Sequence, residues 1–442
     1  MRQKTTQLKN IGIFLFFFIV SSFSVFAQGE FKINVGITGG SFTLIGVNAG
    51  TTITVYDQAN LAGPPLLTLT GVSSQTAINQ ADFTNTSISD VQIWYSNNIT
   101  TINFGNNANA LQIQSIEAWG TATFSTLNFY GARSMEVNAT DIPNFAVNAN
   151  LSGLFRDCFI MTDPGNNIPT WDTSNVRNLN SAFRRAVLYN PTNLGNWDVG
   201  NVTDFGSIFF DAVVFNDGTI NNWNIGENTG TALINMNNVF NNARAFDQEL
   251  SGWERPAGTI NASDPGSTME YVSSMIGMFL DAAVFNRDIG TWNVGRVVDF
   301  TEMFYGEDAA TVFNNGDAPG VLGTGMQNWN IGENVTTGTI DVFRMFSNAR
   351  SFNQDLSNWA DLTKVARFQE MFFNARTFTG VGLANWNISG ANTHNVNFRN
   401  MFGNALLFNE PLANWEDAPE STMAYARNMF AMFNNADALI SL

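Results

Sequence analysis

The stretch FNQDLSNWADLTKVARFQEMFFNA (352–375) contains the repeat unit that decides the fold of this chain. Four apolar residues follow its tryptophan at intervals of three, four and three: Val365, Phe368, Phe372 and Ala375. At 100° per residue they lie on one face of a three-turn helix, so the spacing predicts an amphipathic helix. Before the tryptophan, FNQDLSNW has near-alternating apolar residues, which predict a short strand. One unit therefore predicts a strand followed by a helix.

The same unit recurs along most of the chain, as in NWDVGNVTDFGSIFFDAVVFN (196–216). Its tryptophans stand 26 to 39 residues apart: Trp171, Trp197, Trp223, Trp253, Trp292, Trp329, Trp359, Trp386 and Trp415. Each is followed by a phenylalanine: Phe183, Phe209, Phe240, Phe279, Phe304, Phe346, Phe372, Phe402 and Phe433. In most units an Ala follows this phenylalanine after three residues and a large apolar residue after six. Degenerate units at Phe129 and Phe155 extend the series backwards.

A single strand and helix cannot bury their apolar faces alone, whereas stacked units share a continuous core. Residues 115–442 are therefore predicted to form an α/β, leucine-rich-repeat-like solenoid of about eleven turns, with one short strand and one helix per turn. Polar residues before the valines would cap the helices, and the Trp and Phe series would run through the interior. A parallel β-helix is the alternative fold. Cys158 stands where other units have Ala, so a small buried side chain is expected there rather than a reactive thiol.

The first 27 residues have the pattern of a secretory signal peptide. Three basic residues precede the apolar run IGIFLFFFIV (11–20), and Val25 and Ala27 suit a cleavage site after Ala27. An N-terminal membrane anchor is the alternative, but the run is short for a span and no second candidate span follows. We therefore expect a secreted, extracellular or outer-surface protein without a transmembrane span in its mature chain. Its net charge would be about −20, against −17 with the leader.

Residues 28–114 lack the Trp–Phe repeat and show a different hydrophobic pattern. TTITVYD (51–57) alternates, as do segments around 91–95 and 111–116, and Gly- and Asn-rich stretches separate them. This pattern predicts a small all-β, sandwich-like domain, which could cap the first solenoid turn.

The composition excludes several classes of site. The chain has one His and one Cys, so an intrachain disulfide and multi-His or Cys-His chemistry are excluded. The acidic balance argues against nucleic-acid binding. His394 lies in an insertion, and nothing singles out pairs such as Asp288 and Glu302 as a catalytic dyad. We predict no enzyme, no catalytic residue, no cofactor and no metal site.

Three features could instead serve binding. The tryptophans could stack on sugars, although one residue type repeated at one phase of a solenoid is more often core. Acidic loops such as NDG (216–218) and NNGD (314–317) resemble Ca²⁺ ligand sets in outline, but solvated turns are expected. Insertions between Trp and helix would emerge on one edge, where they could contact a partner or be tolerated decoration. They occupy residues 226–235, 254–274, 332–341 and 389–397.

The runs at 352–375 and 196–216, with SIEAWG (115–120) and NATDIPNF (138–145), resemble the repeats of BspA-like surface proteins. This family has leucine-rich-like repeats of about 26 residues that also occur in mycoplasma surface lipoproteins, and the latter two segments resemble its Bacteroidetes members. The resemblance covers 115–442 and implies a secreted or surface protein of leucine-rich-repeat-like fold, with adhesion in some relatives. It implies no catalytic residue. We expect a non-enzymatic interaction protein that binds a protein or glycan; a polysaccharide-binding or polysaccharide-acting protein and a structural spacer are the alternatives.

Overall fold

The backbone of the repeat region consists of tight turns stacked on one another, as the segment 179–186 illustrates. The amide of Ala182 donates to the Leu179 carbonyl, and that of Ala186 donates to the Phe183 carbonyl, which closes two four-residue turns in succession. The amide of Phe183 donates to Ile208 of the next turn. Some backbone N–H groups therefore bond within a turn, and others bond to the carbonyls of the next turn. Both patterns differ from the bonds to the fourth preceding residue that an α-helix requires.

The computed structural model describes residues 29–439, apart from 38–39, 45–46, 74, 106, 257, 259–265, 308–310, 360–361, 389–395, 413–414 and 416–425. These residues contain β-strands and short 3₁₀ helices but no α-helix. The repeat region is a β-solenoid with stacked parallel strands, so the predicted leucine-rich-repeat-like α/β solenoid is wrong. The alternative, a parallel β-helix, is the closer description. The proposed signal peptide lies outside the described residues.

The repeats imitate a helix because two consecutive four-residue turns also place apolar groups inward at intervals of three and four. Their third residues have positive φ, 57° at both Ser181 and Arg185, whereas a helix needs negative φ throughout. In most turns the second of these residues is Asn or Asp, which tolerate this conformation best: Asp157, Asp211, Asn242, Asp281, Asn348, Asn374, Asn404 and Asn435. Asn or Asp directly before the repeated Ala or Cys is therefore the signal in the sequence that opposes a helix.

Parallel strands form where helices were expected to begin. The ladder runs through β7 (Thr101–Asn103), β9 (Thr123–Asn128), β11 (Asn144–Asn150), β12 (Val176–Asn178), β13 (Ile234–Asn235), β14 (Val272–Ser274), β15 (Ile340–Asp341), β16 (Val365–Arg367), β17 (Val396–Asn397) and β18 (Ala426–Asn428). Bridges through Asp204 and Asp299 join its segments. The polar residues before the valines cap no helix; Asn201 Nδ2 instead donates to the Ser174 carbonyl of the preceding turn at 2.7 Å.

Short 3₁₀ helices stand where strands were expected, just before most of the tryptophans. In the repeats they comprise Ile168–Thr170, Leu194–Asn196, Gly218–Asn222, Ser251–Trp253, Gly325–Asn328 and Leu383–Asn385. Two more lie in the N-terminal part, at Gln80–Asp82 and Ala108–Gln112. The sequence pattern therefore located both elements of each turn but assigned the wrong structure to each.

The N-terminal part is built on antiparallel pairing. Its strands are β1 (Phe31–Gly36), β2 (Ser41–Thr43), β3 (Thr51–Asp57), β4 (Leu67–Val72), β5 (Ala77–Asn79), β6 (Asp90–Tyr95) and β8 (Ile113–Ala118). The order of the main sheet is β10-β8-β1-β6-β3-β4, where β10 (Glu136–Val137) pairs parallel to β8; β2 pairs with β5 separately. Strand β3 buries Thr51, Ile53 and Val55, as its alternation predicts.

The N-terminal sheet and the solenoid share one hydrophobic core. The ring of Phe31 lies 5.7 Å from Trp119 and 5.6 Å from Phe124, between ring centroids. Trp119 in turn packs edge-on against Trp171, the first tryptophan of the repeat series, at 5.0 Å. These contacts cover the first turns with side chains of the N-terminal part, and β8 crosses residue 114 without a break. The division at 114 stays a prediction.

Two columns of phenylalanine rings run through the interior. The first stacks at centroid spacings of 5.4–6.1 Å: Phe129, Phe155, Phe183, Phe209, Phe240, Phe279, Phe304, Phe346, Phe372, Phe402 and Phe433. The second contains Phe215, Phe246, Phe285, Phe313, Phe352, Phe378 and Phe408. Within a turn the two rings are close, as for Phe209 and Phe215 at 3.7 Å. Phe313 was missed in the sequence because additional residues separate it from Phe304.

An asparagine ladder follows the second column. The side-chain oxygen of each residue accepts the backbone N–H of its equivalent one turn later, as Asn314 Oδ1 does from Asn353 at 2.8 Å. The ladder includes Asn190, Asn216, Asp247, Asn286, Asn314, Asn353 and, as its last donor, Thr379. It fixes the register of successive turns and supplies acceptors to backbone N–H groups that tight turns leave without a ladder carbonyl.

Candidate interaction surface

The tryptophan series is part of the core. Each repeated indole is at most 2% exposed. Six pairs of consecutive rings in the series stack on each other, as Trp253 and Trp292 do at 5.8 Å and 7°. From Trp197 onward each Nε1–H donates to a backbone carbonyl one turn earlier, for example Trp223 to Leu194 at 3.0 Å. The predicted core role is confirmed, and no indole face is open to a sugar.

Cys158 fills the Ala position of its turn, as predicted. Its side chain is fully buried, and its Sγ lies 3.5 Å from the Phe129 carbonyl oxygen, to which the thiol donates. Burial raises the pKa of this thiol well above its usual range. A thiolate is therefore disfavoured, and Cys158 is a packing residue.

The acidic loops make hydrogen bonds between adjacent turns. Asp217 is buried, and its carboxylate accepts N–H donors from Thr219 and from Leu194 of the preceding turn. Asn315 accepts from Ile289. The predicted solvated turns are therefore wrong at these residues, which clamp adjacent turns together. Within the described parts of the chain, no group of three or more His, Cys, Asp or Glu residues could hold a metal ion.

The two carboxylates considered as a dyad have separate partners. Asp288 accepts from the Gly290 amide and from Asn315 Nδ2, whereas Glu302 forms an ion pair with Arg344 at 3.3 Å. His394 lies outside the described residues. Over the residues that the structure covers, no helix is both long and apolar enough to cross a membrane.

The insertions 226–235 and 332–341 each begin inside a copy of the heptapeptide NWNIGEN, at 222–228 and 328–334, and the two heptapeptides dock in the same way. Asn224 Oδ1 accepts the Val199 N–H of the preceding turn at 2.8 Å, and its Nδ2 donates to Glu227 at 2.7 Å. Asn330 makes the equivalent bonds to Val294 and Glu333. The insertions are thus anchored at one phase of the solenoid. Of the other two, 254–274 is described only in part, and 389–397 only at its last two residues.

A cavity of about 320 Å³ lies beside the second of these insertions. Trp329, Gly332, Glu333, Trp359 and Lys364 contribute to its lining. Lys364 Nζ donates to the Gly332 carbonyl at 2.8 Å, so the lysine closes one side of the cavity. Its size is at the lower limit of small-molecule pockets.

The most distinctive outer surface lies on the early turns and was missed in the sequence. The guanidinium of Arg156 lies 4.5 Å from the Tyr130 ring centroid, and that of Arg184 lies 4.0 Å from the Phe210 ring. The guanidinium of Arg185 lies 4.8 Å from the centroid of the Phe159 ring. Partial burial lowers the pKa of Arg184, and the neighbouring charge of Arg156 lowers it further. The position directly after a phenylalanine of the first column is occupied by Tyr130, Arg156, Arg184 and Phe210. The residue type at this position differs from turn to turn, so the repeat pattern did not include it.

A comparison with curated proteins found no significant match, and neither did one with solved structures. The model of one protein family matches residues 149–263, 267–337 and 321–441, which together are most of the repeat region. Its own description is "Mycoplasma protein of unknown function, DUF285". The match covers well over half of the chain, and this chain therefore belongs to the DUF285 family.

Proposed function

We propose that the chain is a non-enzymatic interaction protein of a bacterial cell surface or its surroundings, which binds another protein or a glycan. The observation that carries this proposal is the pair of insertions that begin inside the two NWNIGEN segments. Their anchoring Asn side chains bind the preceding turn through identical contacts at the same phase, so both inserted loops stand on one edge of a rigid stack. A rigid scaffold that presents loops at a fixed spacing loses little conformational freedom on binding.

The proposal includes secretion through the leader and cleavage near Ala27. It also includes the closer relationship to BspA-like proteins of Bacteroidetes, which the segments SIEAWG and NATDIPNF suggest. Amino-terminal sequencing of the exported protein tests the leader: a mature chain that begins at Gln28 is expected, and an intact Met1 would contradict it.

Binding is tested with the chain from residue 28 on arrays of glycans and extracellular-matrix proteins. A specific ligand with a dissociation constant in the micromolar range or below is expected. Replacement of 332–341 by the short connector of an uninterrupted turn then tests the loops, with a matched replacement at 226–235. Binding that survives both replacements would show that the loops are tolerated decoration, and an array without any specific ligand would contradict the proposed function itself.

A further inference from the structure

Four outward side chains occupy the same position on four successive turns: Tyr130, Arg156, Arg184 and Phe210. The backbone shows that they are in register, because the amides of Gly131, Asp157 and Arg185 donate to the carbonyls of Arg156, Arg184 and Phe210, respectively. Neighbouring strands of a ladder are about 4.8 Å apart, so the two arginines are adjacent. Each stacks on the aromatic ring on its outer side, away from the other arginine.

These arginines lack the ion pairs that would neutralise them. Within the described chain, no carboxylate oxygen lies within 4 Å of the guanidinium nitrogens of Arg133, Arg156 or Arg184, whereas Arg185 pairs with Asp157 at 3.4 Å. The Nε atoms of Arg156 and Arg184 are buried without a hydrogen-bond partner. Asp157 and Asp211 lie near enough to act on Arg184 electrostatically. A local excess of positive charge thus occurs in a chain whose net charge is −17.

An aliphatic ridge lies beside the arginines. Ile160 and Leu188 occupy equivalent positions on adjacent turns and are 52% and 60% exposed. The Leu188 amide donates to the carbonyl of Phe159, whose ring lies between Arg133 and Arg185. At the equivalent position later turns carry Ser351 and Thr377, or the exposed aliphatic residues Val284 and Leu407. Those turns have Leu280 and Gly403 where the early turns have Arg184 and Arg156. Among the described turns, exposed aliphatic side chains and ring-stacked arginines without an ion pair therefore coincide between residues 130 and 214.

We propose that one face of the early turns binds an acidic polypeptide segment that also carries aliphatic side chains. This arginine–aliphatic face consists of Arg133, Arg156, Arg184, Arg185, Ile160 and Leu188. Charge complementarity selects the acidic groups, because the planar guanidinium groups are held by ring stacking and present donors to carboxylates. Ile160 and Leu188 favour a polypeptide over an anionic polysaccharide, because aliphatic side chains of a polypeptide bury more apolar area against them than sugar rings do. Arginine and aromatic residues around an apolar centre are typical of binding hot spots. This inference rests on the proposed function and names the class of partner.

The test is a selection of displayed random peptides on the full chain from residue 28. Peptides that combine Asp or Glu with Leu, Ile or Val are expected to be enriched. Their synthetic copies should bind about 30-fold more weakly to Arg156→Glu/Arg184→Glu, which corresponds to the loss of a hot-spot contact. Leu188→Asp should weaken binding by a similar factor. The matched control Arg350→Glu/Arg376→Glu makes the same charge change on later turns and should bind as the parent does.

Three outcomes would overturn the inference: a selection without acidic–aliphatic sequences, equal loss in the control variant, or heparin binding at the same arginines that Leu188→Asp leaves unchanged. Arg184→Gln serves as a milder variant if the double substitution unfolds, which a denaturation curve reveals. A matrix-protein or glycan ligand from the arrays that still binds the face variants refutes this site and leaves the proposed function intact. Absence of any ligand in both experiments refutes both.

Discussion

The indole Nε1–H of Trp359 donates to the backbone carbonyl of Met326 at 2.7 Å, one turn earlier in the solenoid. The same side chain stacks on Trp329 at 6.1 Å and is only 2% exposed. One residue thus contributes both apolar burial and an inter-turn hydrogen bond, which explains why Trp recurs where another large apolar residue would fill the same space. The Met326 carbonyl also accepts the Trp329 amide at 3.3 Å, so the indole is its second donor and links one turn to the next.

Substitution of Trp359 by Ala is expected to destabilise the protein strongly. It removes a fully packed indole and leaves a cavity, which costs about 3–5 kcal/mol in the free energy of unfolding. Equilibrium denaturation followed by fluorescence or circular dichroism measures the change. Leu188→Ala, at an exposed position, is the control and should change stability by no more than about 0.5 kcal/mol. Unchanged stability of Trp359→Ala together with the loss of a ligand would instead support a binding platform.

Each hydrogen bond of the asparagine ladder should stabilise the protein more when its Asn side chain is more deeply buried. Asn353 is buried, and its Oδ1 accepts from the Thr379 amide and hydroxyl. Asn353→Ala leaves these donors unpaired, which is expected to cost about 1–3 kcal/mol. Asn190 makes the equivalent bond to Asn216 at an exposed position, so water can replace its side chain. The ladder would lose its assigned role if Asn190→Ala destabilised the protein as much as Asn353→Ala.

Cys158 should be unreactive and replaceable. Cys158→Ala is expected to cost less than about 2 kcal/mol, because the site is the Ala position of the repeat. A thiol reagent at neutral pH should label Cys158 only after denaturant is added, because burial raises the pKa of the thiol. Rapid labelling of the native protein, or a larger loss of stability in Cys158→Ala, would contradict a pure packing role.

The same thiol gives a pH dependence with a definite sign. The native state keeps the Cys158 proton at pH values where the unfolded chain releases it, because the folded pKa lies above the unfolded value of about 8.5. Its contribution to stability is complete below about pH 8.5 and declines above it, as the unfolded thiolate becomes favoured. The parent protein should therefore lose more stability than Cys158→Ala between about pH 8.5 and 9.5. Parallel curves for the two proteins would show that the thiol does not contribute.

The sequence predicted the interior well and the backbone poorly. The Trp and Phe series, the Ala position of Cys158 and the solenoid architecture were all recognisable, because burial depends on side-chain type and on the repeat length. The local structure was not, because apolar spacings of three and four satisfy a helix and a pair of tight turns equally well. Only the conformation of residues such as Asn374, with φ of 59°, separates the two. The arginine–aliphatic face was missed because it occupies positions that vary between turns.

The account depends most directly on the left-handed backbone within each turn, and Ser207 tests it. Its φ is 57°, and its amide donates to the Asn237 carbonyl of the next turn. A side chain in this conformation costs about 1–2 kcal/mol, and a β-branched one costs more. The free energy of unfolding should therefore be highest for Ser207→Gly, close behind or equal for the parent, and clearly lowest for Ser207→Val. A helix at this position would instead make Ser207→Gly the least stable of the three proteins, by about 0.5 kcal/mol, because Ser and Val have similar helix propensities and Gly a lower one. That result would contradict the β-solenoid.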